Sequence, residues 1–183
     1  MKKVFIFLAD GFEETEAVAT IDVLRRGGLE TVAVSVSGTI AVTGAHRITM
    51  VADRLFSETD FSVAAMLVLP GGMPGAKHLN EHAELKALLN EHAEKGGKIA
   101  AICAAPIVLG GLNLLQGKRA TVYPGYEQHL RGATIETGPV VKDGNIITGR
   151  GPGFALPFGL AIVEELQGKT KANEVANGLL LTA

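Results

Sequence analysis

The runs VFIFLA (residues 4–9), MLVL (66–69) and KIAAI (98–102) constrain this chain more than any other feature. Successive strand side chains point to opposite faces of a sheet, so an apolar run without polar alternation fits only where both faces are covered. Parallel strands flanked by helices meet that condition. Helical periodicity fills the interval after the first run: residues 13–26 carry Val18, Ile21 and Leu24 on one side, and Gly27-Gly28 supplies the stop.

The alternation continues along the chain. Residues 31–36 read as a second strand, and 39–56 (TIAVTGAHRITMVADRLF) as a more exposed ribbon or irregular pair of strands. Helices are expected over 81–95, 105–115 and 154–167, with a short β-like stretch at 120–123. VVKDGNIITG predicts a hairpin whose two-residue turn is Asp143-Gly144. NEHAEL recurs as NEHAEK, at a spacing that matches no solenoid period, so both belong to one polar-faced helix. The order predicts an α/β fold with a mostly parallel sheet wrapped by helices, in one domain over residues 1–183.

Composition narrows the function classes. Seventeen Lys and Arg face 19 Asp and Glu, a net charge of -2, and no long block of like charge supplies a footprint for nucleic acid or an anionic membrane. The basic start and apolar run at the N-terminus lack the small-residue cleavage site of a signal peptide. No apolar segment approaches the roughly 20 residues that span a bilayer. A cytoplasmic protein is expected, and its single cysteine fits a reducing compartment.

Ligand sites of open parallel sheets lie at the carboxyl ends of the strands. Three such joins carry usable chemistry: Asp10 to Glu16, Gly71 to Gly75, and Cys103 to Pro106. Cys103 at a sharp strand-to-helix turn, with small Ala104 and Ala105 beside it, fits a nucleophile elbow. The helix starting near Pro106 would then depress the thiol pKa. The alternative reading is a buried cysteine acting as a small hydrophobe.

Gly71 and Gly72 permit close backbone approach. Their N–H groups, with that of Ala104, suit an oxyanion, while a tight turn before a helix explains the same pair. PGGMPGA has neither the spacing nor the lysine of a phosphate loop. Glu13 and Glu14 read as complements to a helix dipole, and Glu16 differs if it turns inward, where desolvation raises its pKa and lets it share a proton with a thiolate.

No metal site is expected. His78 and His82 lack the HExxH pattern and a completing carboxylate or thiol, and with His46, His92 and His129 they read as solvated histidines. Arg150 is either an anion ligand or part of a Gly-Pro-Gly turn. Asp22, Arg25 and Arg26 read as helix-surface pairs.

Taken together, ADGFEETEAV, LVLPGGMPGA, AAICAAP and GRGPG resemble the ThiJ/PfpI family, which includes the parkinsonism-associated deglycase and belongs to the class I glutamine-amidotransferase-like superfamily. The resemblance runs almost end to end. It implies a flavodoxin-like three-layer sandwich, usually a homodimer, with Cys103 as nucleophile and Glu16 as the acid hydrogen-bonded to it. Gly72 and Ala104 match the family's oxyanion donors. Tyr123, in TVYPG, stands where many relatives have histidine, and a phenol of reference pKa near 10 is a poor base at neutral pH.

The resemblance implies a cofactor-free glyoxalase-type or deglycase-type enzyme acting on small 2-oxoaldehydes such as methylglyoxal. The alternatives are a redox sensor or chaperone using an oxidisable cysteine, a member whose pocket has decayed, or a relative of those labelled protease I or thiazole biosynthesis.

Overall fold

The computed structural model describes residues 3–181. Met1, Lys2, Thr182 and Ala183 lie outside the described residues, so the expected domain limits are not covered at either end. In chain order the elements are β1 (Lys3–Leu8), α1 (Glu14–Arg26), β2 (Thr31–Ser35), β3 (Ala41–Thr43), β4 (Thr49–Val51), β5 (Arg54–Leu55) and β6 (Ala64–Leu69). There follow α2 (Gly75–Glu81), α3 (Ala83–Glu94), β7 (Lys98–Ile102), α4 (Pro106–Gly111), β8 (Arg119–Ala120) and β9 (Thr134–Ile135). The last four are β10 (Val140–Asp143), β11 (Ile146–Gly149), α5 (Ala155–Gln167) and α6 (Lys169–Gly178).

The main sheet has seven strands in the order β10-β11-β7-β6-β1-β2-β5. All its neighbours are parallel except β10 and β11, which form the expected antiparallel hairpin. The apolar runs are buried on both sides, as their composition requires. Val4, Ile6 and Leu8 of β1 pack on one face with Ala17, Leu24, Phe158 and Ile162, from α1 and α5. Phe5 and Phe7 pack on the other with Leu79, Leu85, Leu89 and Val108, from α2, α3 and α4. Each large side chain so buried contributes about 1.5–3 kcal/mol. Helices α1 and α5 approach closely because Gly27 and Gly159 bear no side chain: a Cβ on either would stand 2.9 Å from Val163 or Val23. Among the described residues no helix is long and apolar enough to cross a membrane.

Several local expectations are corrected. The helix expected over 81–95 starts earlier and breaks at His82, whose backbone is extended (ψ 101) and whose Nδ1 accepts the Leu85 N–H at 3.1 Å to cap α3. The helix expected over 105–115 ends at Gly111, and Asn113 follows with φ 58. The hairpin turn is Gly144-Asn145, one residue later than expected, because Asp143 pairs with Ile146. The β-like stretch at 120–123 is strand only to Ala120, and the Tyr123 N–H bonds Cys103 rather than a strand partner. The final helix α6 follows Gly168 (φ 89) and had no counterpart in the sequence reading.

Chain order makes β1 the pivot of the sheet: β2 and β5 lie to one side of it and β6, β7 and β11 to the other. The loops after β1 and β6 therefore meet where the order reverses, at the crevice such sheets offer to ligands. Backbone bonds lock those loops together. Glu13 N–H donates to Gly71 O at 2.9 Å, Gly75 N–H to Gly11 O at 3.1 Å, and Gly11 N–H to Thr43 O at 2.8 Å. Gly11 has φ +85, and a Cβ on it would stand 2.4 Å from Pro74 Cδ. Gly28 has φ +76 with open space around it. Gly28→Ala should therefore cost only the left-handed penalty of about 1–2 kcal/mol. Gly11→Ala adds an overpacking term and should cost about 2–5 kcal/mol, read as the larger drop in urea midpoint.

Candidate active site

Cys103 sits directly after β7 with φ 63, the left-handed region that side chains other than glycine rarely adopt. Such a position costs about 1–3 kcal/mol, so surrounding bonds must hold it. Its N–H donates to Gly149 O and its carbonyl accepts the Tyr123 N–H, both at 2.9 Å. These two contacts span β11 and the loop after β8, and fix the turn so that the thiol faces the strand ends. The side chain is 8% exposed.

Glu16, one turn into α1, is fully buried beside it. Its Oε2 accepts the Gly71 N–H at 2.8 Å, and Oε1 has no hydrogen-bond partner. Gly71 explains the proximity. A Cβ there would lie 2.6 Å from Cys103 Cβ and 2.8 Å from both Glu16 Oε2 and Ile102 O, so any larger residue drives the two side chains apart. Gly72 is equally confined: with φ +89, its Cβ would stand 2.3 Å from Glu13 N. The backbone N–H groups of Gly72 and Ala104 favour negative charge on the sulfur. The glycine pair thus divides, Gly71 holding the carboxyl and Gly72 facing the thiol.

The electrostatics overturn the expected depression of the thiol pKa. Burial, with the charge and hydrogen bonding of Glu16, pushes Cys103 up to about 12 against the opposing Gly72 and Ala104 N–H groups. Helix α4 has only six residues and cannot supply the dipole a longer helix would. Burial likewise pushes Glu16 up to about 7, against the Gly71 N–H. These shifts are conditional on one another. With Glu16 neutral, its charge no longer opposes the thiolate and its proton can be donated to sulfur. The pair therefore sheds one proton near pH 7 and holds the second far more tightly.

The remaining expected residues lie at different distances from this chemistry. Tyr123 is tied to Cys103 through its backbone, while its side chain is half-exposed and its hydroxyl bonds no described residue. Arg150 directs Nη1 to Thr137 O at 2.8 Å and its N–H to Pro139 O, bonds that brace its loop. A hollow of about 540 Å³ lined by Lys3, Glu30, Asp53 and Asp60 lies at the opposite ends of the strands, away from Cys103.

Glu13, Glu14 and His46 were underestimated by the sequence. Glu14 is buried and accepts the His46 N–H at 2.7 Å and His46 Nδ1 at 2.8 Å, pinning the β3–β4 turn to the start of α1. Burial opposes its charge, but the His46 side chain and the backbone N–H groups of His46 and Ile48 outweigh that and hold the carboxyl below its usual range. With Glu13, three ligand-type atoms come within 4.8 Å of one another, though Glu14 already uses both oxygens on His46. His78 and His82 also make specific contacts: His78 Nδ1 bonds Asp10 O at 2.8 Å, and His82 packs on Phe56. His92 is partly buried against Lys98 O. The Asp22–Arg26 pair forms as expected at 2.7 Å, whereas Arg25 reaches across to Asp53 at 2.8 Å. A polar residue four positions from its partner was readable; contacts across the fold were not.

The fold agrees with the comparisons. The model of the DJ-1/PfpI family matches residues 2–165. Protein DJ-1 homolog A of Arabidopsis thaliana is 44% identical over 98% of this chain, which spans 47% of that relative's length. A Caenorhabditis elegans protein named glutathione-independent glyoxalase DJR-1.2 is 34% identical over 92% of the chain and 90% of its own. The solved structure of Toxoplasma gondii DJ-1, oxidized, superimposes with a TM-score of 0.94 at 38% identity, covering 98% of both chains. The mostly parallel sheet wrapped by helices is thus a DJ-1-type, flavodoxin-like fold. The chain belongs to the DJ-1/PfpI family.

The shared proton gives a measurable signature. Iodoacetamide alkylation of Cys103 should rise through a step near pH 7 and then level. In Glu16→Gln the carboxyl is gone and burial, opposed only by the Gly72 and Ala104 N–H groups, governs the thiol, so that step should vanish and reactivity should rise only above the free-thiol value of about 8.5.

Proposed function

We propose that this protein is a cofactor-free, cysteine-dependent enzyme of glyoxalase or deglycase type acting on small 2-oxoaldehydes such as methylglyoxal, working in the cytoplasm as one domain. The observation that supports it is the buried Glu16 carboxyl set against a thiol whose sulfur faces two backbone N–H groups. The glyoxalase named among the relatives is consistent with the same chemistry.

In the one-proton state of the pair, the sulfur adds to the aldehyde carbon while Glu16 gives its proton to the carbonyl oxygen, forming a hemithioacetal. The carboxylate then removes the proton from that carbon and returns it to the neighbouring one through an enediol. The product is a 2-hydroxy thioester, which water cleaves to the 2-hydroxy acid, regenerating the thiol. The aldehyde carbon is oxidised and the ketone carbon reduced within one molecule, so water is the only co-reactant. Gly72 and Ala104 stabilise negative charge, Gly71 positions Glu16, and the Tyr123 phenol serves as a hydrogen-bond donor rather than a base. Peptide hydrolysis, which needs a base in that place, is disfavoured.

A redox-sensing role is the second reading, favoured by the oxidized state of the Toxoplasma relative. Peroxide would transfer oxygen to the sulfur, giving sulfenic and then sulfinic acid. Turnover separates the two. Conversion of methylglyoxal to lactate, followed by NMR, should disappear in Cys103→Ser and fall by about 10²–10⁴ in Glu16→Gln. A sensor would instead gain oxygen mass at Cys103 and produce no lactate.

A homodimer fits the exposed apolar side chains on α1 and the β3–β4 ribbon: Val18, Ile48 and Val51 are 48%, 58% and 69% exposed. Light scattering should give twice the chain mass, reduced to the monomer in Val51→Glu.

A further inference from the structure

The aromatic faces of the loop bonded to Cys103 are not used by the proton chemistry, which calls only on the Tyr123 hydroxyl. The bond from Tyr123 N–H to Cys103 O places the Tyr123 backbone directly against the nucleophile's own. The Tyr123 ring then lies over Gly151, where a Cβ would stand 3.2 Å from Cδ2 and 3.6 Å from Cε2. Glycine at 151 is what seats the ring. From the side, Tyr126 meets it edge-on, with centroids 6.5 Å apart at 66°, and Tyr126 packs in turn on His129 at 6.2 Å. Supported from beneath and beside, Tyr123 nonetheless remains 45% exposed. Phe154, 37% exposed, adds a second ring on the adjoining loop, its N–H bonded to Gly151 O.

A fixed, half-exposed ring on the residue whose backbone bonds the nucleophile's carbonyl offers a flat face, and aromatic groups gain most from such a face through offset or edge-on stacking. We propose that Tyr123, seated on Gly151, is the specificity-determining wall of the Cys103 site and favours 2-oxoaldehydes bearing a planar aromatic group over those bearing a methyl. The proposal deepens the glyoxalase reading and rests on Cys103 attacking 2-oxo compounds. The proposal places the carbon bonded to sulfur at the elbow and the substituent on the neighbouring carbon toward Tyr123 and Phe154.

Alkylation by phenacyl bromide and by bromoacetone tests the wall without requiring turnover. In both, Sγ bonds to the halomethyl carbon, the C–Br bond breaks, bromide leaves and the thiol proton passes to Glu16 or buffer. Each rate is divided by that of free glutathione with the same reagent, which removes intrinsic reactivity. The wild type should favour the aryl reagent by roughly two- to tenfold, the scale of one aromatic contact. Tyr123→Phe should keep that ratio, while Tyr123→Ala and Tyr123→Leu should bring it to about one, with circular dichroism verifying the fold. A wild-type ratio of one, or a ratio retained in both Ala and Leu variants, overturns the proposal. Turnover of phenylglyoxal and methylglyoxal is measured alongside. Absence of both conversions with the alkylation ratio intact removes the glyoxalase reading and leaves the aromatic wall standing.

Discussion

The site depends on an empty volume the size of one methyl group. Gly71 occupies the point where the loops after β1, β6 and β7 converge, and a Cβ there would collide with Cys103, Glu16 and the Ile102 carbonyl at once. Leaving that volume free lets an acid and a thiol share a buried setting, and the freed backbone N–H orients the acid. The sheet serves this arrangement. Its reversal of strand order between β1 and β6 brings chain segments 55 residues apart into one hydrogen bond.

Burial cuts against charge on either partner, and this decides the chemistry. An isolated thiol in this setting would stay protonated, as desolvation dictates. A neighbouring carboxyl that is also reluctant to ionise changes the balance, since one proton shared between two unwilling acids leaves one negative charge that the backbone can direct. The Gly72 and Ala104 N–H groups point that charge toward sulfur, and the Gly71 N–H toward oxygen. Reactivity then follows from which set of donors prevails once a carbonyl compound arrives, rather than from a thiol acidified in advance.

Much of this was legible in the sequence because it is local. Doubly buried strands announce themselves as unbroken apolar runs, and the glycines at 71 and 72 and the small residues around Cys103 mark close approach. Glu16 was singled out conditionally, and only the family resemblance paired it with the thiol, since three glutamates at a helix start look alike until one is seen to face inward. What escaped was determined at a distance. The break at His82 depends on an imidazole replacing a backbone carbonyl as a cap, and the burial of Glu14 depends on a ribbon more than 30 residues further on. The thiol pKa was misjudged because sequence displays the helix start but neither its six-residue length nor the depth of burial.

The left-handed backbone at Cys103 has an evolutionary corollary. A β-carbon held at φ 63 is a standing penalty that glycine would not incur, so cysteine stands here against the fold's own preference. In lineages where the sulfur ceased to matter, drift toward glycine or asparagine would be expected at this turn, and the residue found there would record whether a descendant still uses its chemistry.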